Sequence, residues 1–222
     1  FFNEHPLFQG EYHQAIKNGY LITDFGYTKG YKKQTVTKKS GEKSHFFSEF
    51  VKNFNNDDGS NQSLSLTVQN VSNDKYLKLY RPNSFLVDYT TGTLENTLKF
   101  SHENEDLFLG VSAEAYETMK TNYNDKYAYI FPRVNLEKNL VYDERLGILD
   151  LRTSYKILKY DTNKTENFLV NDFDWSSRDI NRNNGLKNRI LGHIRNINYD
   201  TKNVDLYKSD TTNELYGALG YL

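Results

Sequence analysis

The chain has 222 residues, enough for one large domain or two small ones. Its 28 lysine and arginine residues nearly balance its 29 aspartate and glutamate residues, which argues against a nucleic-acid partner. The absence of cysteine excludes disulfides, thiolate metal ligands and cysteine nucleophiles, and no apolar run reaches the roughly 18 residues that a membrane-spanning helix needs.

The start of the chain and its composition bear on where the protein acts. No methionine precedes Phe1, Phe2 and Asn3, which suggests that a signal peptide, a lipoprotein leader or a membrane segment was removed. A merely shortened chain would look the same. The preference for asparagine, lysine, tyrosine and phenylalanine, whose codons are AT-rich, suits an AT-rich bacterial, phage or organelle genome. We expect an extracellular or cell-surface bacterial protein, with any membrane tether outside this chain.

In chain order, the first predicted elements are a short helix over residues 11–17, a strand over residues 20–25 and a polar loop over residues 27–43. The clearest helix is predicted to begin at Ser44. Apolar side chains then recur at the helical period, which predicts one face buried against the sheet. This apolar stripe consists of Phe46, Phe47, Phe50, Val51 and Phe54.

From residue 63 onwards, alternating apolar and polar residues predict a series of short strands. These strands cover residues 63–70, 76–80, 84–89, 97–100, 107–111, 127–131, 139–142 and 147–151. Between them, Ser112 is expected to cap another short helix, which ends at Met119. The helical segments are short throughout, which argues against a doubly wound α/β fold.

Two similar turn sequences, beginning at Tyr160 and Tyr199, predict two β-hairpins over residues 155–170 and 194–207. About ten to twelve short strands with two or three short helices predict an α+β fold that is mainly antiparallel β-sheet. We expect a single domain over residues 1–222, with an internal subdivision near residues 100–110 left open.

The segment from Asp172 to Arg182 is the predicted ligand-contact loop, because it holds the one tryptophan of the chain beside charged and small polar residues. The candidate ligand-binding residues are Asp172, Asp174, Trp175, Arg178 and Arg182. An alternative interpretation makes Trp175 a core residue that closes the end of the sheet. The same segment is expected to lead into a short helix over residues 186–191.

Oxygen-bearing side chains at Asp179, Asn181 and Asn183, followed by Gly185, resemble the start of a calcium-binding EF-hand loop. The glycine stands one position late, and Ile190 occupies the place of the bidentate glutamate, so no metal site is predicted. Histidine metal motifs, glycine-rich phosphate loops and the G-x-S-x-G motif do not occur in the sequence. We therefore expect no cofactor and no catalytic residues, although the paired carboxylates of a hydrolase are a spatial feature and stay an open alternative.

Two phrases of the sequence carry a family resemblance. Residues 111–116, which begin Val111-Ser112-Ala113, and the final residues from Glu214 to Leu222 resemble parts of the large extracellular domain of bacitracin-type peptide-resistance ABC permeases. The resemblance implies an extracellular sensor domain that binds antimicrobial peptides or their lipid targets. It implies no catalysis within this chain.

These observations predict an extracytoplasmic, non-catalytic binding or recognition domain of a surface-anchored or membrane-tethered bacterial protein. Its expected ligand is a protein, a peptide or a glycan. Three alternatives are a sensor domain of the permease type, a structural component of a phage particle or surface assembly, and a hydrolase that acts on glycans or peptides. A close pair of buried carboxylates would favour the hydrolase, and an obligate symmetric assembly would favour the structural component.

Overall fold

The structure is a computed structural model that describes residues 4–56, 59–121, 123–181 and 185–221, without the side chain of Asn181. Within these residues the chain is almost entirely β, with one short helix, α1 (Tyr76–Tyr80). The strands are β1 (Phe8–Ile16), β2 (Gly19–Gly30), β3 (Ser40–Asn55), β4 (Asn61–Val71), β5 (Thr93–Glu103), β6 (Leu107–Thr118), β7 (Tyr127–Asp143), β8 (Gly147–Tyr160), β9 (Lys164–Ser176), β10 (Ile180–Asn181), β11 (Lys187–Asn188), β12 (Ile190–Lys202) and β13 (Thr211–Tyr221).

The strands follow one another as a meander. Eleven of them form one antiparallel sheet in the order β1 to β9, then β12 and β13, while β10 and β11 form a separate two-stranded ribbon. Strands that are neighbours in the sheet are therefore neighbours in the sequence, apart from the step from β9 to β12. Antiparallel neighbours need only short turns, which fits the frequent asparagine, aspartate and glycine residues between the strands.

The chain divides into two compact units. Unit 1 comprises residues 1–54, 63–99 and 114–128, and unit 2 comprises residues 55–62, 100–113 and 129–222. Each unit is assembled from three separate segments, because several long strands contribute to both.

Unit 1 contains the hydrophobic core, which forms where α1 and the segment after it lie against the sheet. Its buried side chains are Phe47, Val71, Tyr76, Leu77, Val87, Leu94 and Met119. Helix α1 ends at Arg81, whose backbone is left-handed (φ 45°) and whose N–H donates to the carbonyl of Leu77 at 2.8 Å. This turn ends the helix after five residues, with Tyr76 and Leu77 facing inward.

Unit 2 has very little hydrophobic core. Among its described residues, Val204 is the one apolar side chain with an exposed fraction below a tenth. Phe168, Tyr199 and Tyr207 form a small aromatic cluster, and the Tyr207 hydroxyl donates to Glu166 at 3.0 Å. Elsewhere in unit 2 the strands are held chiefly by cross-strand pairs.

The α+β prediction is wrong, because no described helix has seven or more residues. The helix predicted from Ser44 is part of β3. A spacing of four residues keeps side chains together on a helix and also on a strand, whose faces alternate every two residues. Phe46, Phe50 and Phe54 thus share one face of β3, where Phe46 and Phe54 are exposed, whereas Phe47 is buried on the other face.

The other helix predictions are also wrong, and one segment predicted as a strand is a helix. Residues 11–17 and 112–119 fall mostly in β1 and β6, and residues 186–191 include β11 and the start of β12. The segment predicted as a strand over residues 76–80 is α1, and residues 84–89 contain no strand. Burial of Tyr76 and Leu77 in the core of unit 1 outweighs the strand propensity of this segment.

One of the two predicted hairpins is confirmed. Strands β8 and β9 pair from Tyr160 opposite Lys164 onwards, and positive φ angles at Asp161 and Asn163 make the tight turn. The second prediction is wrong, since β12 pairs with β13 across a longer loop over residues 203–210. Burial of Val204 and the bond from Tyr207 to Glu166 draw this segment back over the sheet.

Candidate functional site

The structure describes four of the five predicted ligand-binding residues, and they do not lie together on one surface. Asp172, Asp174 and Trp175 lie in strand β9 and not in a loop, and the two aspartates point to the face opposite Trp175 because strand faces alternate. Arg178 follows the strand and is exposed. Arg182 lies outside the described residues. The described residues of the predicted loop therefore do not form a single contact surface.

Strand register in unit 2 builds an apolar groove around Trp175. One cross-strand row runs from Leu149 through Trp175 and Gly192 to Leu219. The adjacent row runs from Leu151 through Phe173 and Ile194 to Gly217. We call the depression between these rows the Trp175 groove, and define it by Leu149, Phe173, Trp175, Gly192, Ile194, Gly217 and Leu219.

The two glycines create the space in the Trp175 groove. A Cβ atom at Gly192 would lie 3.4 Å from Cε3 of Trp175, and one at Gly217 would have only the carbonyl of His193 within 4 Å. Their missing side chains leave a groove of about 610 Å³ whose surface is almost wholly apolar. This volume is within the range of roughly 300–1,000 Å³ that is typical of ligand pockets.

Trp175 is half-buried and its polar atom is already satisfied. Its indole Nε1 donates a hydrogen bond of 2.9 Å to the carbonyl of Leu146, in the turn between β7 and β8. The indole ring is thereby held in place at the side of the groove. Phe173 and Ile194, which are 36% and 50% exposed, complete an apolar surface that is open to solvent.

The opposite face of the same strands carries an ion-pair ladder, which we define as Arg152, Asp172, Asp174, His193 and Arg195. Arg195 binds Asp172 through two hydrogen bonds of 2.5 and 2.8 Å. Arg152 donates to Asp174, and Nδ1 of His193 lies 2.7 Å from Asp174 Oδ1. Each aspartate thus lies between cationic or hydrogen-bonding partners on the flanking strands.

The ladder holds both carboxylates in their ionised form. Hydrogen bonds from Arg195 lower the pKa of Asp172 below its usual range. Burial on its own would raise the pKa of Asp174, but hydrogen bonds from His193 and Arg152 outweigh burial, and the pKa is lowered. The general acid of a hydrolase needs a raised pKa, so these two carboxylates do not suit that role.

A second depression in unit 2, of about 560 Å³, is polar and rich in carboxylates. Its side chains include Glu103, Glu105, Asp106, Glu137, Lys138 and Asp150, together with Arg152 and Asp174 of the ladder. Within it, Asn139 donates to Asp150 at 3.1 Å. Among the described residues, no group of three histidine, aspartate or glutamate side chains is placed to hold a metal ion.

The segment considered as a calcium loop is only partly described. Asp179 binds Arg189 through hydrogen bonds of 2.6 and 2.9 Å, so its carboxylate already has a cationic partner. Asn183 lies outside the described residues. Residues 180–181 and 187–188 pair as the short ribbon of β10 and β11.

Comparison with known proteins does not place the chain in a family. No protein-family model matches the sequence, and no curated protein matches it significantly. In the part of the chain that the structure describes, no helix is long and apolar enough to cross a membrane.

The sequence prediction missed most residues of the Trp175 groove. Gly192 and Gly217 are separated from Trp175 in the sequence, and only strand register brings them beside it. The available signal was glycine inside otherwise strand-like segments, since such glycines often mark a place where another group approaches closely. Without the register, that signal does not show which residues meet.

Proposed function

We propose that this chain is a non-catalytic binding domain that recognises an extended, apolar segment of a protein or peptide in the Trp175 groove. The observation that carries the proposal is the open apolar groove in unit 2, formed by Leu149, Phe173, Trp175, Ile194 and Leu219 over the two glycines. Exposed apolar surface with aromatic side chains is typical of protein interaction sites.

The chemistry of the groove favours a peptide over a glycan. Glycan recognition requires polar groups that bond to hydroxyls, in addition to an aromatic platform. In the Trp175 groove the indole N–H is already bonded to Leu146, and Nδ1 of His193 is bonded to Asp174 on the other face. The remaining lining side chains are apolar, which suits aliphatic or aromatic side chains of a peptide.

The proposal also states where the domain acts and that its role is binding without catalysis. We propose that the domain acts at the surface of a bacterial cell, for which the support is the absence of cysteine and the AT-rich amino-acid composition. A binding role is supported by the lowered pKa values of Asp172 and Asp174, which suit stable ion pairs and not proton transfer.

Trp175 provides a direct test because it is the one tryptophan in the chain. A set of ten-residue peptides with alternating leucine and serine, and a polar set with serine and asparagine, would be titrated while tryptophan fluorescence is recorded. Peptides that fill the groove should shift the emission to shorter wavelength in a saturable manner. Soluble chitin and cellulose oligosaccharides serve as the glycan comparison.

Matched glycine variants locate the binding. Gly192→Ala adds a methyl group to the groove at ordinary contact distance, so the fold should persist while peptide affinity falls about tenfold. Gly92→Ala makes the same change where a Cβ atom meets nothing within 4 Å, and should leave affinity unchanged. A saturable response to oligosaccharides alone, or equal affinity in the two variants, would contradict the proposal.

A further inference from the structure

Strand β13 has an open edge and no pairing partner on one side among the described strands. In the sheet order it follows β12 as the last strand. Its sequence, TTNELYGALGY, contains one charged residue, Glu214, and no proline or lysine. Its pairing with β12 is continuous, without a bulge. Natural edge strands are usually protected by lysine, proline or a β-bulge, and β13 has none of these.

The backbone groups that face this open edge can be identified from the hydrogen-bond pattern. The N–H of Thr201 donates to the carbonyl of Asp210 at 2.7 Å, so Asp210 points its backbone groups towards β12. Successive residues of a strand point their backbone groups to alternate sides. The N–H and C=O groups of Leu215, Gly217 and Leu219 therefore point outward, where another strand can pair with them.

We propose that a second copy of this chain pairs with β13, antiparallel and centred on Gly217, to form a symmetric dimer. In an antiparallel pair, residues directly opposite each other lie on the same face of the sheet. A two-fold axis at Gly217 places Leu215 opposite Leu219 of the second copy, and Leu219 opposite its Leu215. It also places Tyr216 beside the small Ala218 of the second copy.

Both the single charge and the apolar surface of β13 are compatible with pairing to a second copy. In this register Glu214 lies opposite Gly220 of the second copy, so the one charged side chain of β13 meets no like charge. Four large side chains of β13 are highly exposed, and pairing covers part of each. They are Leu215 (72%), Tyr216 (51%), Leu219 (85%) and Tyr221 (63%).

The area of the contact sets the expected strength of the dimer. Large side chains bury at most roughly 150–250 Å² each. Four per copy, only partly covered by edge pairing, do not reach the roughly 1,200–2,000 Å² of a standard stable interface. The dimer is therefore expected to be weak and to depend on protein concentration. Leu219 also lines the Trp175 groove, so the two sites share this side chain, whereas Leu215 belongs to the dimer contact alone.

Charge substitutions test both the dimer and its register. Sedimentation velocity over a wide concentration series should show a monomer–dimer equilibrium for the unaltered chain. L215K and L219E should each give monomers, since the introduced charge then faces a leucine of the second copy and has no partner of opposite sign. L215K/L219E should restore the dimer, because each lysine then faces a glutamate of the second copy.

The control is L206K, which places the same charge on an exposed leucine in the loop between β12 and β13, outside the paired strand. It should leave the equilibrium unchanged. A monomer at every concentration, growth into larger species, or a double variant that stays monomeric would overturn the proposal. Peptide titration of L215K, whose substitution lies outside the groove, reports on groove binding separately, so failure of one proposal is distinguishable from failure of the other.

Discussion

Unit 1 and unit 2 are stabilised in different ways, although both are built from the same kind of strand. In unit 1, Phe47 of β3 and the α1 residues Tyr76 and Leu77 are at most 1% exposed. In unit 2, Phe173 and Ile194 lie on a sheet face that no described element covers, and cross-strand ion pairs occupy the other face. A covered face contributes stability, whereas an uncovered apolar face is available for binding.

A buried network around a histidine also distinguishes unit 1. His45 lies between the Tyr76 hydroxyl at 2.9 Å and Asp24 at 3.0 Å, and all three residues are almost fully buried. Burial raises the pKa of Tyr76 to about 12, so its hydroxyl stays protonated as a hydrogen-bonding group. The charged pairs of unit 2 remain in contact with water, where each contributes far less to stability.

The largest expected effect is the loss of a core side chain in unit 1. Phe47→Ala should lower the free energy of unfolding by about 3–5 kcal/mol, because it leaves a cavity in a fully buried site. Phe46→Ala, on the exposed face of the same strand, is the matched control and should cost much less. Urea unfolding followed by circular dichroism measures both. Equal losses of unfolding free energy in the two variants would contradict the assignment of Phe47 to a buried face and Phe46 to an exposed face.

A second variant tests the close approach of backbone and side chains in unit 1. A Cβ atom at Gly26 would lie 2.5 Å from Cε1 of His45 and 3.0 Å from the Tyr76 hydroxyl oxygen. Gly26→Ala should therefore cost about 1–3 kcal/mol through overpacking. Gly92→Ala, which meets open space, should be neutral in the same urea experiment. A neutral Gly26→Ala would mean that the buried network adjusts without strain.

The ion-pair ladder should make the stability of unit 2 depend on pH. The folded-state pKa of Asp172 lies below its unfolded value, so its contribution is present above the unfolded pKa of roughly 3.9 and is lost as the pH falls through the folded pKa. Arg195→Gln should reduce stability at pH 7 by less than the Phe47 substitution does. The difference from the unaltered chain should shrink as the pH falls below roughly 3.9.

Thermal unfolding between pH 7 and pH 2 measures this dependence. Arg189→Gln removes the partner of Asp179 in an exposed pair outside the ladder, and serves as the control. A difference for Arg195→Gln that persists unchanged at low pH would show that the arginine acts by packing and not through the charge of Asp172.

The smallest expected effect concerns Trp175 in the absence of ligand. Because the indole is half-buried in an open groove, acrylamide should quench its fluorescence partly. Trp175→Phe keeps an aromatic ring but loses the hydrogen bond to Leu146, so it should cost about 0.5–1.5 kcal/mol and leave the fold intact. Complete shielding from acrylamide, or global unfolding of the variant, would show that Trp175 belongs to a closed core.

Several features of the fold follow directly from local sequence. Alternating residues in β4, and the aspartate and asparagine of the turn between β8 and β9, predict strands and a hairpin that the structure confirms. Aromatic residues favour strands, and small polar residues favour tight turns. These local preferences identify strand-rich segments but do not say which face of a strand is covered.

The apolar stripe of β3 shows why the remaining features could not be predicted. Side chains four residues apart share a face in a helix and in a strand, so Phe46, Phe50 and Phe54 fit both, and neighbouring strands resolve the choice. Likewise, residues 76–80 become helical because Tyr76 and Leu77 are buried in a core assembled from distant segments.

Composition and alternation alone were enough to indicate a strand-rich chain without disulfides, and they singled out Trp175. They could not place it beside Gly192 and Gly217, nor separate it from Asp172 and Asp174. Those relations depend on strand register, and a shift of one residue would move every side chain of a strand to the opposite face. Register is chosen by the pairing of whole strands, and so the groove and the ladder exist only in the folded sheet.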